Sequence, residues 1–178
     1  MSNIWQAPFL GEREVRMKIK ALSITLCLIA LYASQAIAAE LKSSHVQQIT
    51  PAGEQASVSG PSDFFIGSAR IDPVWPADEN INASGGYVTF EPGARSAWHS
   101  HPAGQHLVVT FGVGLTQEWG KAVQIIRPGD VIWCPPGVKH WHGASPNTAM
   151  THLAITGTVD SHNVTWMEQV SDQQYRAR

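Results

Sequence analysis

Cysteine is nearly absent, with only Cys27 and Cys134 in 178 residues. Cys27 falls in an apolar N-terminal run, so Cys134 stands alone in the body and no intramolecular disulfide forms there. A solitary Cys134 reads as a small buried apolar side chain rather than a catalytic thiol. Charge is sparse too: Asp, Glu, Lys and Arg make up 15% of the chain and the net charge is −2. Lys and Arg minus Asp and Glu is 4 − 2 = +2 over residues 1–39 and 8 − 12 = −4 over residues 40–178. No basic run tracks a phosphate backbone, which excludes nucleic acid as a partner. After residue 40 no stretch holds a helical apolar period for long.

The N-terminus carries an address. Lys18 and Lys20 precede the apolar run Ala21–Ala33, and Ser34-Gln35-Ala36-Ile37-Ala38 closes it with small residues. A basic patch, a short apolar run and a small-x-small triplet make a secretory signal peptide, cleaved after Ala38. The run is too short to span a bilayer comfortably, and Leu26 before Cys27 does not suit lipoprotein cleavage. Met17 is an alternative start. The expected organisation is a leader over 1–38, an extended polar arm over 39–62 and one β-domain over 63–178. The mature protein is expected to be secreted, to the periplasm, without a stable membrane anchor.

From Phe64 short apolar runs alternate with Gly and Pro punctuation. The runs are Phe64–Ile66, Gly86–Phe90, Leu107–Phe111, Val123–Ile126, Val131–Trp133 and Ala149–Ile155. Glu91-Pro92-Gly93, Arg127-Pro128-Gly129-Asp130 and Pro135-Pro136-Gly137 separate them. Many short strands with turn signals predict an all-β sandwich or barrel. A short helix fits near 167–178.

All eight His lie after residue 39, and most cluster between 99 and 152. In a strand, residues two apart share a face, so His99 and His101 aim two imidazoles at one point. Gln105, four further on, keeps that face, and His140 follows the Pro-Pro-Gly turn. Imidazole suits Mn, Fe, Co, Ni, Cu or Zn, and four protein ligands leave positions open on an octahedral ion, as a catalytic site requires.

The spacing around these residues resembles the cupin superfamily. The first cupin motif aligns with Gly93, His99, His101, Gln105 and Gly112, and the second with Gly129, Pro135, Gly137 and His140, with Ala144 where Asn is usual. The resemblance implies a jelly-roll barrel with a metal in its mouth. Arg70–Pro73, Thr89–Arg95, Trp98–Gln105, Arg127–Trp133, Lys139–Ala144, Thr148–Ile155 and Asp172–Tyr175 are similar to small bacterial cupins with manganese-dependent hydroxynitrile lyase activity. In that family the fourth ligand is Gln, so the implied ligands are His99, His101, Gln105 and His140. The implied ion is Mn2+, with Fe2+, Ni2+, Co2+ or Zn2+ as alternatives.

The resemblance also implies His152 as general base or proton shuttle. His142, two residues after His140, shares its face and reads as a substrate-orienting residue. Substrate-pocket positions are Gly86, Val88, His106 and Thr156. His106 stands where relatives carry Thr, and its parity opposite to Gln105 turns it out of the barrel unless a bulge intervenes. Thr156 stands where Gln is known. Trp98, Trp133, Trp141 and Trp166 read as core or interface fillers, and His45 and His162 as surface residues.

A neutral Gln ligand leaves a divalent ion its full charge, which favours Lewis-acid work over dioxygen activation. The expected function is therefore lyase chemistry on a small carbonyl compound, cleaving or forming cyanohydrins. A metal-dependent oxygenase or oxidase and a small-ligand-binding barrel are the alternatives. The resemblance further implies a homo-oligomer, dimer or tetramer.

Overall fold

The computed structural model describes residues 46–177. The leader, its signal-peptide features, Cys27 and His45 lie outside the described residues. Contacts divide the chain into residues 1–50 and 51–178. Of the first unit, residues 46–50 are described, and they are exposed and without regular structure. No helix among the described residues is long and apolar enough to cross a membrane.

The second unit is built almost wholly of strands. In chain order these are β1 (Val58–Ser59), β2 (Phe65–Ile66), β3 (Ala69–Trp75), β4 (Ala83–Phe90), β5 (Arg95–Ser96), β6 (His99–Ser100) and β7 (Gln105–Gly112). There follow β8 (Gly114–Glu118), β9 (Gln124–Ile126), β10 (Val131–Cys134), β11 (His140–Ala144), β12 (Met150–Gly157), β13 (Thr165–Trp166) and one short helix, α1 (Asp172–Arg176). One sheet runs β1-β3-β4-β12-β7-β10. The other runs β13-β6-β11-β5-β2, with β8 on β11 and β9 on β8. Every pairing is antiparallel. Two such sheets, face to face, make the all-β sandwich that the punctuated pattern predicts, in the jelly-roll form that the resemblance implies.

The six expected runs all fall on strands. Apart from β6, which carries His99, the additional strands are β1, β3, β5, β8, β11 and β13. β11 is buried at all five positions, because the barrel interior covers one face and the C-terminal segment covers the other. A strand covered on both faces shows no apolar–polar alternation. The polar arm contributes β1 as an edge strand on β3 (Val58 opposite Ile71), and Ser57 Oγ donates to the Asp72 carboxylate.

The described residues form two cores. One fills the barrel with Phe65, Phe90, Val109, Ile126 and Met150. The other lies outside β11, where Trp98, Leu115, Trp141, Val170 and Tyr175 pack together. Arg95 ties the second core down. Its Nε and Nη2 donate to the Val170 carbonyl at 3.1 and 3.0 Å, Nη2 also reaches Asp172 at 2.7 Å, and the guanidinium lies 4.6 Å from the Tyr175 ring centre. Ser171 starts α1 with a capping box shared with Gln174, which fixes the entry to that helix. Arg95→Met keeps the stem but strips the Val170 carbonyl of its donors. The expected loss is about 3 kcal/mol, typical of a broken buried charged network, read from urea midpoints. A loss near zero would show that the C-terminal segment docks through apolar contact alone.

Candidate functional site

Both sheets deliver side chains to one end of the barrel. On β12 the inward set is Met150, His152, Ala154 and Thr156, and on β7 it is Gln105, Leu107 and Val109. The strands pair so that Thr156 lies opposite Gln105 and His152 opposite Val109, with a bulge between Thr151 and His152. From the other sheet, β6 supplies His99, and β11 supplies His140 directly opposite it. His142, two residues on, shares the face of His140. His101 lies beyond the two-residue β6, in a turn that Gly104 closes with φ +79. It nevertheless stays buried, held by Gly137 N–H donating to its carbonyl at 2.9 Å.

The imidazoles of His99, His101 and His140 lie with ring centres 4.3–5.5 Å apart. Each Nδ1 bonds a backbone carbonyl: His99 to Ala97 at 2.9 Å, His140 to Val138 at 2.9 Å, His101 to Asn163 at 2.5 Å. A carbonyl can only accept, so these bonds place the proton on Nδ1 and leave Nε2 with its lone pair. His101 Nε2, His140 Nε2 and Gln105 Oε1 are buried and have no hydrogen-bond partner. Buried orphan acceptors are costly. Lone pairs from imidazole nitrogen and an amide oxygen together are the donor set a divalent ion would satisfy, so these residues fit the metal the sequence implies. His99, His140 and His142 also bring ring nitrogens within 4.8 Å of one another. His142 is thus close enough to join the set, as spacing alone does not foresee.

His142 makes a second connection. Its Nδ1 lies 3.0 Å from His152 Nε2, while His142 Nε2 and His152 Nδ1 have no partner. The Phe90 ring flanks both imidazoles at 5.7 and 5.8 Å.

A cavity of about 430 Å³ opens beside these groups. It is lined by His99, His101, Gln105, His142, His152 and Thr156 at its polar end. Phe65, Ile71, Val88, Ala154, Trp75 and Trp166 make its apolar walls. Gly86 and Val88 line it, as expected for pocket positions. Gly85 must lack a side chain, since a Cβ there would meet the Trp75 ring at 2.3–2.4 Å.

His106 requires a correction. It is exposed, stacks on Trp133 with ring centres 4.4 Å apart, and does not line the cavity. The bulge that could have turned it inward lies further along, opposite Phe111 and Val109, so alternation carries His106 to the outer face. Trp166, read as a filler, lines the cavity, and so does Gln55 from the polar arm. Trp75 and Asn163 escape sequence reasoning altogether, because wall and carbonyl positions carry no motif. Cys134 is buried, and burial followed by the Glu118 charge pushes its thiol up to about 12, so it is no nucleophile.

Burial keeps these rings neutral. Desolvation, reinforced by neighbouring imidazoles, holds His99 and His142 well below the ordinary 6.5. Desolvation lowers His140 to about 4 and His152 to about 3. The unfolded chain takes protons on these rings near pH 6.5 while the folded chain refuses them. Stability is therefore full above about pH 6.5 and falls as the pH drops through that value towards 4 and 3, by about 1.4 kcal/mol per pH unit for each ring. Urea unfolding of the metal-stripped chain is expected to lose about 3 kcal/mol or more between pH 7.5 and 5.0. Equal stability at the two pH values would contradict neutral burial.

Comparison with known proteins agrees with the fold. The cupin domain family model matches residues 86–156. The (R)-mandelonitrile lyase of Granulicella tundricola is 57% identical over 129 residues, which is 72% of this chain and 98% of that protein. A solved cupin-like protein of Thermotoga maritima is 42% identical over 73% of this chain and 96% of its own, with a TM-score of 0.62. A cupin-2 domain of Rhodospirillum rubrum shares the fold at 16% identity, with a TM-score of 0.56 over 68% of this chain and 81% of that one.

Proposed function

The chain belongs to the cupin family, and from that premise we propose that it is a metal-dependent lyase that cleaves or forms cyanohydrins. The observation that carries this reading is the set of unpartnered buried acceptors: His101 Nε2 and Gln105 Oε1 from residues lining an apolar cavity, and His140 Nε2 on a ring 4.3 and 5.5 Å from those of His99 and His101. The (R)-mandelonitrile lyase relative supports the reaction class and the assignment as an enzyme.

His99, His101, Gln105 and His140 would hold the ion, Mn2+ in this reading. When bound, a divalent ion with four neutral ligands supplies Lewis-acid stabilisation of negative charge developing on the substrate. The apolar walls bind the carbon skeleton and exclude water from the reacting carbon. His142 and His152, both neutral, face the hydroxyl. One end of the pair takes the hydroxyl proton, the carbon–carbon bond breaks, and its electron pair leaves with cyanide while the carbonyl forms. The bond between His142 Nδ1 and His152 Nε2 lets a proton gained at one end be released at the other. Protonation of cyanide then restores both rings, and synthesis is the reverse.

The test is elemental analysis of the full chain, followed by aldehyde release from racemic mandelonitrile on the same sample. Near-stoichiometric manganese with cleavage supports the reading. Metal without cleavage leaves a metal cupin of other activity, and absence of metal after reconstitution overturns the ligand set. The reading extends to export through the leader and to a homo-oligomer. The exposed Val131, Trp133 and Phe111 on strands of one sheet offer apolar surface for the latter.

A further inference from the structure

The four ligand side chains are oriented in two different ways. His99 and His140 are aimed by carbonyls two residues back on their own chain, Ala97 and Val138. Such contacts form with the local backbone. Gln105 and His101 are aimed from a distance. Gln105 Nε2 donates to Thr156 Oγ1 at 2.9 Å, and His101 Nδ1 donates to the Asn163 carbonyl, 62 residues away.

Thr156 and Asn163 belong to one continuous segment, the end of β12 and the hairpin that follows. The hairpin turns at Asp160 and Ser161, both with positive φ (49 and 64), and Val159 and His162 exchange both backbone bonds across it. That is a two-residue turn of the primed kind without the glycine it favours. Asn82 pins the segment from outside. Its carbonyl accepts from Thr158 N–H at 3.1 Å, and its side-chain amide donates to the Thr158 carbonyl at 2.8 Å.

We propose that the 156–163 segment is a positioning element for the metal ligands, with Thr156 setting the Gln105 amide and the Asn82-anchored hairpin setting the His101 ring. This rests on the metal reading of the site. An amide can present either end. The Thr156 hydroxyl, placed opposite Gln105 by strand pairing, accepts from the nitrogen and so turns Oε1 toward the lone pairs of the histidines. Without that acceptor no protein group selects the oxygen, and the flipped amide presents N–H groups to a cation. His101 Nδ1 likewise keeps its ring in register only while the Asn163 carbonyl stays in place. Thr156 is thereby a ligand-orienting residue as well as a cavity wall.

The experiment is calorimetric titration of Mn2+ into the metal-stripped full chain and three variants. Thr156→Val, of the same shape but without an acceptor, is expected to bind about tenfold more weakly, and Thr156→Ser within about threefold of wild type. Asn82→Ala, an exposed change remote from the ligands, is also expected to weaken binding about tenfold. Melting of the metal-free variants should match wild type, which separates orientation from unfolding. Thr156→Val binding as tightly as wild type would overturn the Gln105 half of the proposal, and Asn82→Ala doing so would overturn the His101 half. A wild-type chain that binds no Mn2+ would instead overturn the metal reading itself.

Discussion

Replacing His140 by alanine is expected to weaken metal binding by a factor of about 10²–10³ and to bring cyanohydrin cleavage down to the uncatalysed rate. The magnitude follows from sharing the roughly 10–16 kcal/mol of a protein metal site among four ligands. His140 is the most telling of the four. It lies opposite His99 across β11 and β6, its Nδ1 is locked to the Val138 carbonyl, and its buried Nε2 has no partner within the protein. The variant should fold, because an alanine there removes a ring whose neutrality costs stability in acid. Its metal-free acid sensitivity should be shallower than wild type for the same reason. Metal titration and urea unfolding on one preparation check both statements. Unchanged metal affinity would exclude His140 as a ligand.

His152→Phe is expected to behave differently. It should lower kcat by about 10²–10⁴, the usual contribution of a positioned general base, while metal affinity stays within about threefold of wild type. The reason is connectivity: His152 bonds His142 at 3.0 Å and makes no hydrogen bond to His99, His101, Gln105 or His140. Phenylalanine fills the buried space and keeps the contact with Phe90, whose ring lies 5.8 Å away. A loss confined to kcat identifies an interaction made in the transition state. If metal and activity fell together, His152 would be a support for the metal cluster and the proton would have to travel through His142 alone. The two variants thus separate ligation from proton transfer.

Much of the site was legible in the chain because its chemistry is written locally. The His-x-His pair, Gln105 and His140 sit at fixed distances from Gly93, Gly112, Gly129 and the Pro-Pro-Gly turn, and turn residues fix where a short strand starts. Alternation then orders the rest of a strand. It places His152 and Thr156 on one face of β12 and sends His106 out against Trp133. The two-residue β6 shows the limit of that rule. His101 lies beyond the strand and is held inward by a turn and a distant carbonyl, not by alternation.

What sequence alone determined, then, was the all-β class, the turn positions and the residue types of the proposed metal site, since each depends on neighbours a few residues apart. Only the tertiary structure decided which way those side chains point, which walls close the cavity and what fastens the C-terminal segment. Thr156 meets Gln105, Asn163 meets His101, and Arg95 meets Val170 across 51, 62 and 75 residues. Trp75 reaches the cavity because Gly85 leaves room for its ring. Such contacts arise from strand order and sheet packing, which a single sequence encodes only through the free energy of the whole fold, so no local pattern announces them.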